Sequence, residues 1–109
     1  MKKLFFFAAI LAGLFSIISG CSKTATPGSN AVWMQNMAFV PSSITIPVNG
    51  IVTWTNKDAV THNVTSDSAW FASGNIAPNG VFSRQFTTAG TFNYSCTIHA
   101  NMRGTVIVH

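Results

Sequence analysis

Residues 31–109 form a succession of short apolar runs in which every second residue is polar, with Pro, Gly, Asn and Ser between the runs. Alternation with a period of two is typical of strands that bury one face. No segment after residue 30 shows a sustained helical period. The pattern predicts an all-β protein, a Greek-key β-sandwich of about seven or eight strands in one domain.

Three local features refine this prediction. The parity of the apolar residues changes near Asn36, which predicts a bulge or bend there. Asn49-Gly50 is the strongest signal for a two-residue hairpin turn in the chain. Arg84 shares the parity of the apolar residues around it, so its charged side chain is expected to point inward. A position near the exposed edge of the strand would let the charge reach water.

The first twenty residues have the composition of an export signal. Met1-Lys2-Lys3 is a basic start, residues 4–18 are almost wholly apolar, and Ser19-Gly20 supplies small residues at the exit. The apolar run is too short to span a bilayer comfortably. We therefore expect residues 1–20 to be a signal peptide, which places the mature chain in an exported compartment.

Cys21 follows this signal directly. The sequence Ile18-Ser19-Gly20-Cys21 resembles the lipobox of bacterial lipoproteins, in which cleavage falls before the cysteine and the cysteine carries the lipid. The resemblance implies a periplasmic or cell-surface lipoprotein anchored to a bacterial membrane through Cys21. The alternative is an ordinary export signal that leaves Cys21 as a free thiol. Residues 21–30 are polar and small, and we expect them to be a flexible tether to a domain at residues 31–109.

Charge excludes one class of partner. Without the signal peptide, four basic side chains face two carboxylates, a net charge of +2. This gives no basic face of the density that nucleic-acid binding requires.

Four potential metal ligands stand out near the C-terminal end and in one upstream segment. Cys96, His99 and Met102 follow one another at intervals of three, and His62 lies in an apolar, β-branched run. Taken singly, each could be an ordinary core residue. Taken together, two histidines, a thiol and a thioether form a set of soft donors that selects copper over magnesium or calcium.

The run from Tyr94 to Val106 resembles the closing hairpin of type 1 (blue) copper proteins, the cupredoxins of the plastocyanin, amicyanin and pseudoazurin group. Residues 61–64 resemble the upstream ligand segment of the same family. The resemblance implies one copper ion with His62, Cys96 and His99 as trigonal ligands and Met102 as the weak axial ligand.

The same resemblance assigns supporting roles. It implies that Asn63 ties the two ligand segments together through the region of Thr97. Because His99 lies on the loop rather than in a strand, we expect it to be the exposed edge through which electrons pass. Ile98 departs from the family, since several members have proline there.

These features predict a membrane-tethered, monomeric one-electron carrier with transient redox protein partners. One alternative is a periplasmic copper chaperone or buffer that uses the same ligands, and another is a metal-free structural sandwich. We do not expect an enzyme, because a copper nitrite reductase or multicopper oxidase needs further histidines for a second copper site, and His109 alone cannot supply them.

Overall fold

The computed structural model describes residues 26–109, so the expected signal peptide and Cys21 lie outside the described residues. Within residues 26–109 the chain contains eight strands and no helix, which confirms the all-β prediction. No helix long and apolar enough to cross a membrane occurs in the described part of the chain. The strands are β1 (Ala31–Gln35), β2 (Ala38–Val40), β3 (Ser43–Ile46), β4 (Ile51–Asn56), β5 (Thr65–Ser66), β6 (Val81–Gln85), β7 (Gly90–Ser95) and β8 (Arg103–Val108).

The strands form two four-stranded sheets, with orders β2-β1-β4-β6 and β3-β8-β7-β5. In the first sheet β1 is parallel to β4, while β1–β2 and β4–β6 are antiparallel pairs. In the second sheet β3 is parallel to β8, while β7 is antiparallel to both β8 and β5. The two sheets enclose one hydrophobic core, as the sandwich prediction requires.

Aromatic residues from both sheets meet at the centre of that core. The indole of Trp54 on β4 is fully buried, and its ring centroid lies 5.4 Å from that of Tyr94 on β7 in an edge-to-face arrangement. Phe39 on β2 also packs edge-to-face against Tyr94, with the two ring centroids 4.7 Å apart. Such pairs add to the stabilisation from burial and fix the spacing between the sheets.

The bulge or bend predicted near Asn36 is a bend, in the form of a two-residue turn. Asn36 and Met37 have φ values of 56° and 60°, and Gln35 pairs with Ala38, so β1 and β2 form a tight hairpin of the type I′ class. A turn of this length changes the apolar parity as a bulge does, which is why the sequence pattern did not distinguish the two.

The predicted hairpin at Asn49-Gly50 is wrong in its strand pairing. The turn exists, with Asn49 at φ 76° and the Gly50 N–H donating to the Pro47 carbonyl, but it joins β3 of one sheet to β4 of the other. The Asn49 N–H donates instead to the carbonyl of Phe86. An Asn-Gly pair specifies the geometry of the turn and leaves open which strands pair beyond it.

Arg84 lies on β6, which is an edge strand of its sheet. Its guanidinium carbon lies 5.7 Å from the centroid of the Phe71 ring. The half-buried charge is therefore accommodated by an aromatic face and by the open edge of the sheet.

Strand direction gives the sandwich two distinct ends. We call the end where β4 and β7 finish and β8 begins the site end, because His62 follows β4, Cys96 follows β7 and Met102 precedes β8. We call the opposite end, which carries the turn at residues 47–50 and the loop at residues 86–89, the distal end. All four predicted metal ligands thus lie at the same end of the fold. His62 follows a strand of the first sheet, and Cys96, His99 and Met102 lie between β7 and β8 of the second.

Candidate metal site

Three of the predicted ligands converge at the site end. The Nδ1 atoms of His62 and His99 are 3.1 Å apart, and the Cys96 Sγ lies 4.0 Å from the first and 3.6 Å from the second. These three residues form a group whose donor atoms all lie within 4.8 Å of one another. Residues that are 34 positions apart in the chain are thereby brought to one point.

The spacing of the donors fits a single ion. Nitrogen and sulfur ligands about 2.0–2.3 Å from a metal in a trigonal plane stand about 3.5–3.8 Å from one another. The observed separations of 3.1, 3.6 and 4.0 Å bracket that range. One thiolate and two imidazoles are the trigonal donor set of a type 1 copper site.

The two histidines differ in exposure. His62 is fully buried, whereas His99 is partly exposed on the loop between β7 and β8. Cys96 is 1% exposed and is the free cysteine of the described residues. A thiolate shielded from water is protected from oxidation, while the His99 ring provides a short path from the site to the surface.

Asp58 fixes the orientation of His62, a role that the sequence analysis missed. The His62 Nε2–H donates to the Asp58 carboxylate at 2.8 Å. With the proton held on Nε2, the lone pair of Nδ1 is left to face Cys96 and His99. A carboxylate four residues before a candidate ligand histidine, in a chain with only two side-chain carboxylates, is the signal that could have revealed it.

The same carboxylate supports the β1–β2 turn. It accepts the backbone N–H groups of Asn36 at 2.8 Å and Met37 at 3.0 Å, which are the two residues with positive φ. Burial raises the pKa of the Asp58 carboxyl, but the hydrogen bonds from Met37, His62 and Asn36 outweigh this effect and hold the pKa below its usual value of 3.8. Asp58 therefore links a turn of the first sheet to the buried histidine.

We expect an Asp58→Asn substitution to lower copper affinity about 10–100-fold, because the orienting carboxylate of a metal-bound histidine typically has an effect of this size. A competition titration with a chelator measures the change. Asp67→Asn is the matched control, since Asp67 pairs with the exposed Arg103 and does not contact the site. Equal affinities for the two variants would contradict the orienting role.

The lowered pKa of Asp58 makes the free energy of unfolding depend on pH in a definite direction. Because the pKa of Asp58 is lowered by folding, its stabilisation is present at neutral pH and is lost as the pH falls through the folded-state value, below about 3.8. The difference in unfolding free energy between the wild type and Asp58→Asn, measured on the copper-free domain, should therefore be largest near neutral pH and shrink in acid.

Asn63 connects the two ligand segments. Its side-chain N–H donates to the Thr97 hydroxyl at 2.8 Å, and its carbonyl oxygen accepts the Thr97 backbone N–H at 3.0 Å and the Thr65 hydroxyl at 2.9 Å. Asn63 follows His62 and Thr97 follows Cys96, so these bonds hold two ligand-bearing backbones at a fixed separation.

Met102 closes the loop that carries the other ligands. Its side chain is 1% exposed, its N–H donates to the His99 carbonyl at 3.0 Å, and its carbonyl accepts the Cys96 N–H at 3.1 Å. The loop is thus tightly turned by its own backbone hydrogen bonds. Proline is absent from residues 96–102, so these bonds and the Asn63–Thr97 pair define the loop conformation.

A β-sandwich of two mixed sheets, with a buried thiol and two histidines at one end, defines a type 1 copper protein. Comparison with known proteins specifies the family: residues 7–108 match the model of the Cupredoxin-like domain, and the chain belongs to that family.

Similarity to individual proteins agrees with this assignment. The chain is 32% identical over 106 residues to amicyanin-alpha of Methylorubrum extorquens, covering 93% of this chain and 86% of the relative. It is 36% identical over 85 residues to a plastocyanin of Scenedesmus fuscus, covering 66% of this chain and 87% of the relative. The solved structure of the Cu(I) form of an amicyanin variant has a TM-score of 0.69 and 27% identity, covering 79% of this chain and 94% of that one. One copper ion is therefore the cofactor that this site holds.

Proposed function

We propose that the protein is a one-electron carrier that alternates between Cu(I) and Cu(II), with His62, Cys96 and His99 as equatorial ligands and Met102 as the axial ligand. The observation that carries the proposal is the convergence of a buried thiol and two imidazole Nδ1 atoms within 4.8 Å. Copper bound by these groups supplies the reversible electron exchange, and the protein residues set its geometry and its access.

The residues around the ligands keep the metal site rigid. Asp58 and Asn63 hold the His62 ring and its backbone, and the Asn63–Thr97 pair fixes the start of the loop. Because these bonds do not involve the metal, they persist in both oxidation states. Little rearrangement then accompanies gain or loss of an electron, which favours rapid transfer.

The surface around His99 suits brief encounters with redox partners. Met37, Val60 and Ile98 at the site end are 45%, 45% and 48% exposed, and none of them carries a charge. A small apolar edge at the end of the fold that carries the partly exposed His99 fits the interfaces of transient redox complexes, which fall below about 1,200 Å² in total area. We propose that a monomer docks to its partners through this edge.

A visible spectrum tests the proposal. Addition of Cu(II) to the purified soluble domain should give an intense blue or green thiolate-to-copper band, and voltammetry should show one reversible one-electron wave. A colourless complex would refute the carrier.

Met102 can be tested separately, as an axial ligand whose strength tunes the potential. Met102→Leu keeps the volume of the core but removes the sulfur donor, so it should retain the band and raise the reduction potential. Met102→Gln offers a harder oxygen donor that favours Cu(II), so it should lower the potential. If both variants keep the wild-type potential, Met102 is a core residue only.

Copper handling by the same ligands is the competing function. It predicts rapid surrender of Cu(I) to an acceptor protein or chelator, whereas a carrier keeps its metal through many redox cycles. Three donors that lie within the fold, two of them buried, favour retention. Exchange complete within seconds would support the handling role.

We also propose export and a lipid anchor. The supporting observation is the basic, apolar and small-residue succession that ends at Cys21, with a tether that leads to the first strand. The lipid at Cys21 would hold the carrier at a bacterial membrane, on the periplasmic side or at the cell surface. Flotation of the mature protein with lipid vesicles, and its loss in Cys21→Ala, tests the anchor.

A further inference from the structure

The tether enters the fold far from the metal site. Residues 21–30 lead into β1, whose first residue, Ala31, pairs with Thr53 near the start of β4. The Asn30 carbonyl accepts the Thr53 N–H at 3.0 Å, which fixes the point of entry. Because β1 and β4 are parallel and both run towards the site end, the chain enters at the distal half of the sandwich.

The distal end presents a continuous exposed surface, which we call the distal face and define as residues 47–51 and 87–90. Hydrogen bonds join its parts: the Asn49 N–H donates to the Phe86 carbonyl and the Gln85 side chain donates to the Asn49 carbonyl. Val48 and Ile51 on this face are 38% and 51% exposed. The face thus combines apolar side chains with threonine hydroxyls and no charged side chain of its own.

Charge is distributed unevenly between the two ends. The only side-chain carboxylates of the protein are Asp58, which binds His62, and Asp67, which pairs with Arg103 at the start of β8. Both lie towards the site end. Among the arginine and lysine residues that the structure describes, Arg84, opposite Val52 on the neighbouring strand, lies nearest to the distal face, because Lys57 and Arg103 are at the site end. The exposed His109 borders the face, since its carbonyl accepts the Val48 N–H. An anionic membrane surface that approaches the distal end therefore meets no carboxylate side chain to repel it. The positive charge of Arg84 attracts such a surface.

We propose that the distal face rests on the lipid surface to which the chain is tethered, so that the apolar edge around His99 points away from the membrane into the compartment. This inference rests on the proposed lipid anchor at Cys21. The occupant of the distal face is the bilayer interface, with Val48 and Ile51 in contact with the headgroup region.

The length of the tether favours this orientation over the reverse. Ten residues of a small polar chain span about 17–19 Å on average. A six-residue strand such as β4 is about 20 Å long. To place the apolar edge around His99 on the membrane, the tether would have to run back about 20 Å along the side of the sandwich in one fixed direction, which restricts its conformational freedom.

The orientation has a functional consequence. The apolar edge around His99 would be free to meet partners in the compartment, while the anchor restricts the carrier to a layer near the membrane. Electron transfer could then occur with soluble partners and with the exposed domains of membrane proteins, without release of the carrier.

Two matched reporters test the inference in the full lipidated chain, loaded with Cu(I) and reconstituted in vesicles of phosphatidylethanolamine and phosphatidylglycerol. Val48→Trp lies on the distal face and Val60→Trp at the site end, and the parent residues are 38% and 45% exposed. Trp33 and Trp70 are replaced by Phe, which leaves the fully buried Trp54 as a constant background. Each variant is first required to show the blue band when oxidised.

Lipids with brominated acyl chains should reduce the emission of Val48→Trp about twofold or more and leave Val60→Trp unchanged, while aqueous iodide should quench mainly Val60→Trp. Adding Ile51→Asp should weaken the bromolipid quenching of Val48→Trp without loss of flotation. If the protein floats but Val60→Trp is the quenched reporter, or neither is, the orientation is wrong and the anchor stands. If the wild type does not float, or Cys21→Ala floats equally well, the anchor itself is refuted and the orientation with it.

Discussion

A Cys96→Ser domain should give no blue or green band with Cu(II) at any copper concentration. The band arises from charge transfer between a thiolate and copper, and a serine oxygen cannot replace the sulfur in that transition. Cys96 is the free cysteine of the described residues and its Sγ faces both histidine Nδ1 atoms. The two histidines can still hold copper weakly, so a colourless complex is the expected product.

Copper binding should also stabilise the wild type far more than this variant. A ligand present at 1,000 times its dissociation constant raises the free energy of unfolding by about 4 kcal/mol. Thermal unfolding with and without Cu(II) measures the difference. Cys21→Ser is the matched control, because that thiol lies outside the described domain and should leave both the band and the stabilisation intact. Persistence of the band in Cys96→Ser would rule out Cys96 as the ligand.

Gly104→Ala should destabilise the fold strongly, although it adds a single methyl group. A Cβ at this position would lie 2.4 Å from both the Cζ and the hydroxyl oxygen of Tyr94, which is directly opposite on β7. The Tyr94 ring cannot move aside, because it is fully buried between Phe39 and Trp54. Burial also raises the pKa of Tyr94 to about 12, so the phenol is neutral at physiological pH.

Overpacking of this kind costs about 1–3 kcal/mol, and the closeness of the contact places Gly104→Ala at or above the upper end. For a domain of this size, 3 kcal/mol corresponds to a fall in Tm of about 12–24 °C. Gly28→Ala is the control, since a Cβ there would have no atom within 4 Å, and its Tm should stay within a degree or two. A similar Tm for both variants would show that the Tyr94 ring can relocate.

The disturbance caused by Gly104→Ala should extend to the metal site, because Tyr94 lies two residues before Cys96 with the same parity. If Gly104→Ala folds at low temperature, its blue band should be shifted or broadened relative to the wild type. Gly28→Ala should show the wild-type band.

The fold class and the copper site followed from the sequence for local reasons. Period-two alternation is a property of each strand by itself, so the β-sandwich was predictable from residues 31–109 and is confirmed by the eight strands. The donor chemistry was also local: Cys96, His99 and Met102 share one short loop, and the family resemblance added His62. The structure brings His62, Cys96 and His99 together as expected, and the axial role of Met102 stays a prediction.

The tertiary structure alone decided which segments meet across the fold. The Asn49-Gly50 turn has the predicted local geometry, yet its strands belong to different sheets, because their hydrogen-bond partners come from distant segments. The contacts of Asp58 are also of this kind: its carboxylate joins the His62 ring to N–H groups more than twenty positions earlier in the chain. Alternation and spacing determine which face a residue occupies, but a contact between segments far apart in sequence depends on the packing of the whole sandwich, and only the folded chain specifies it.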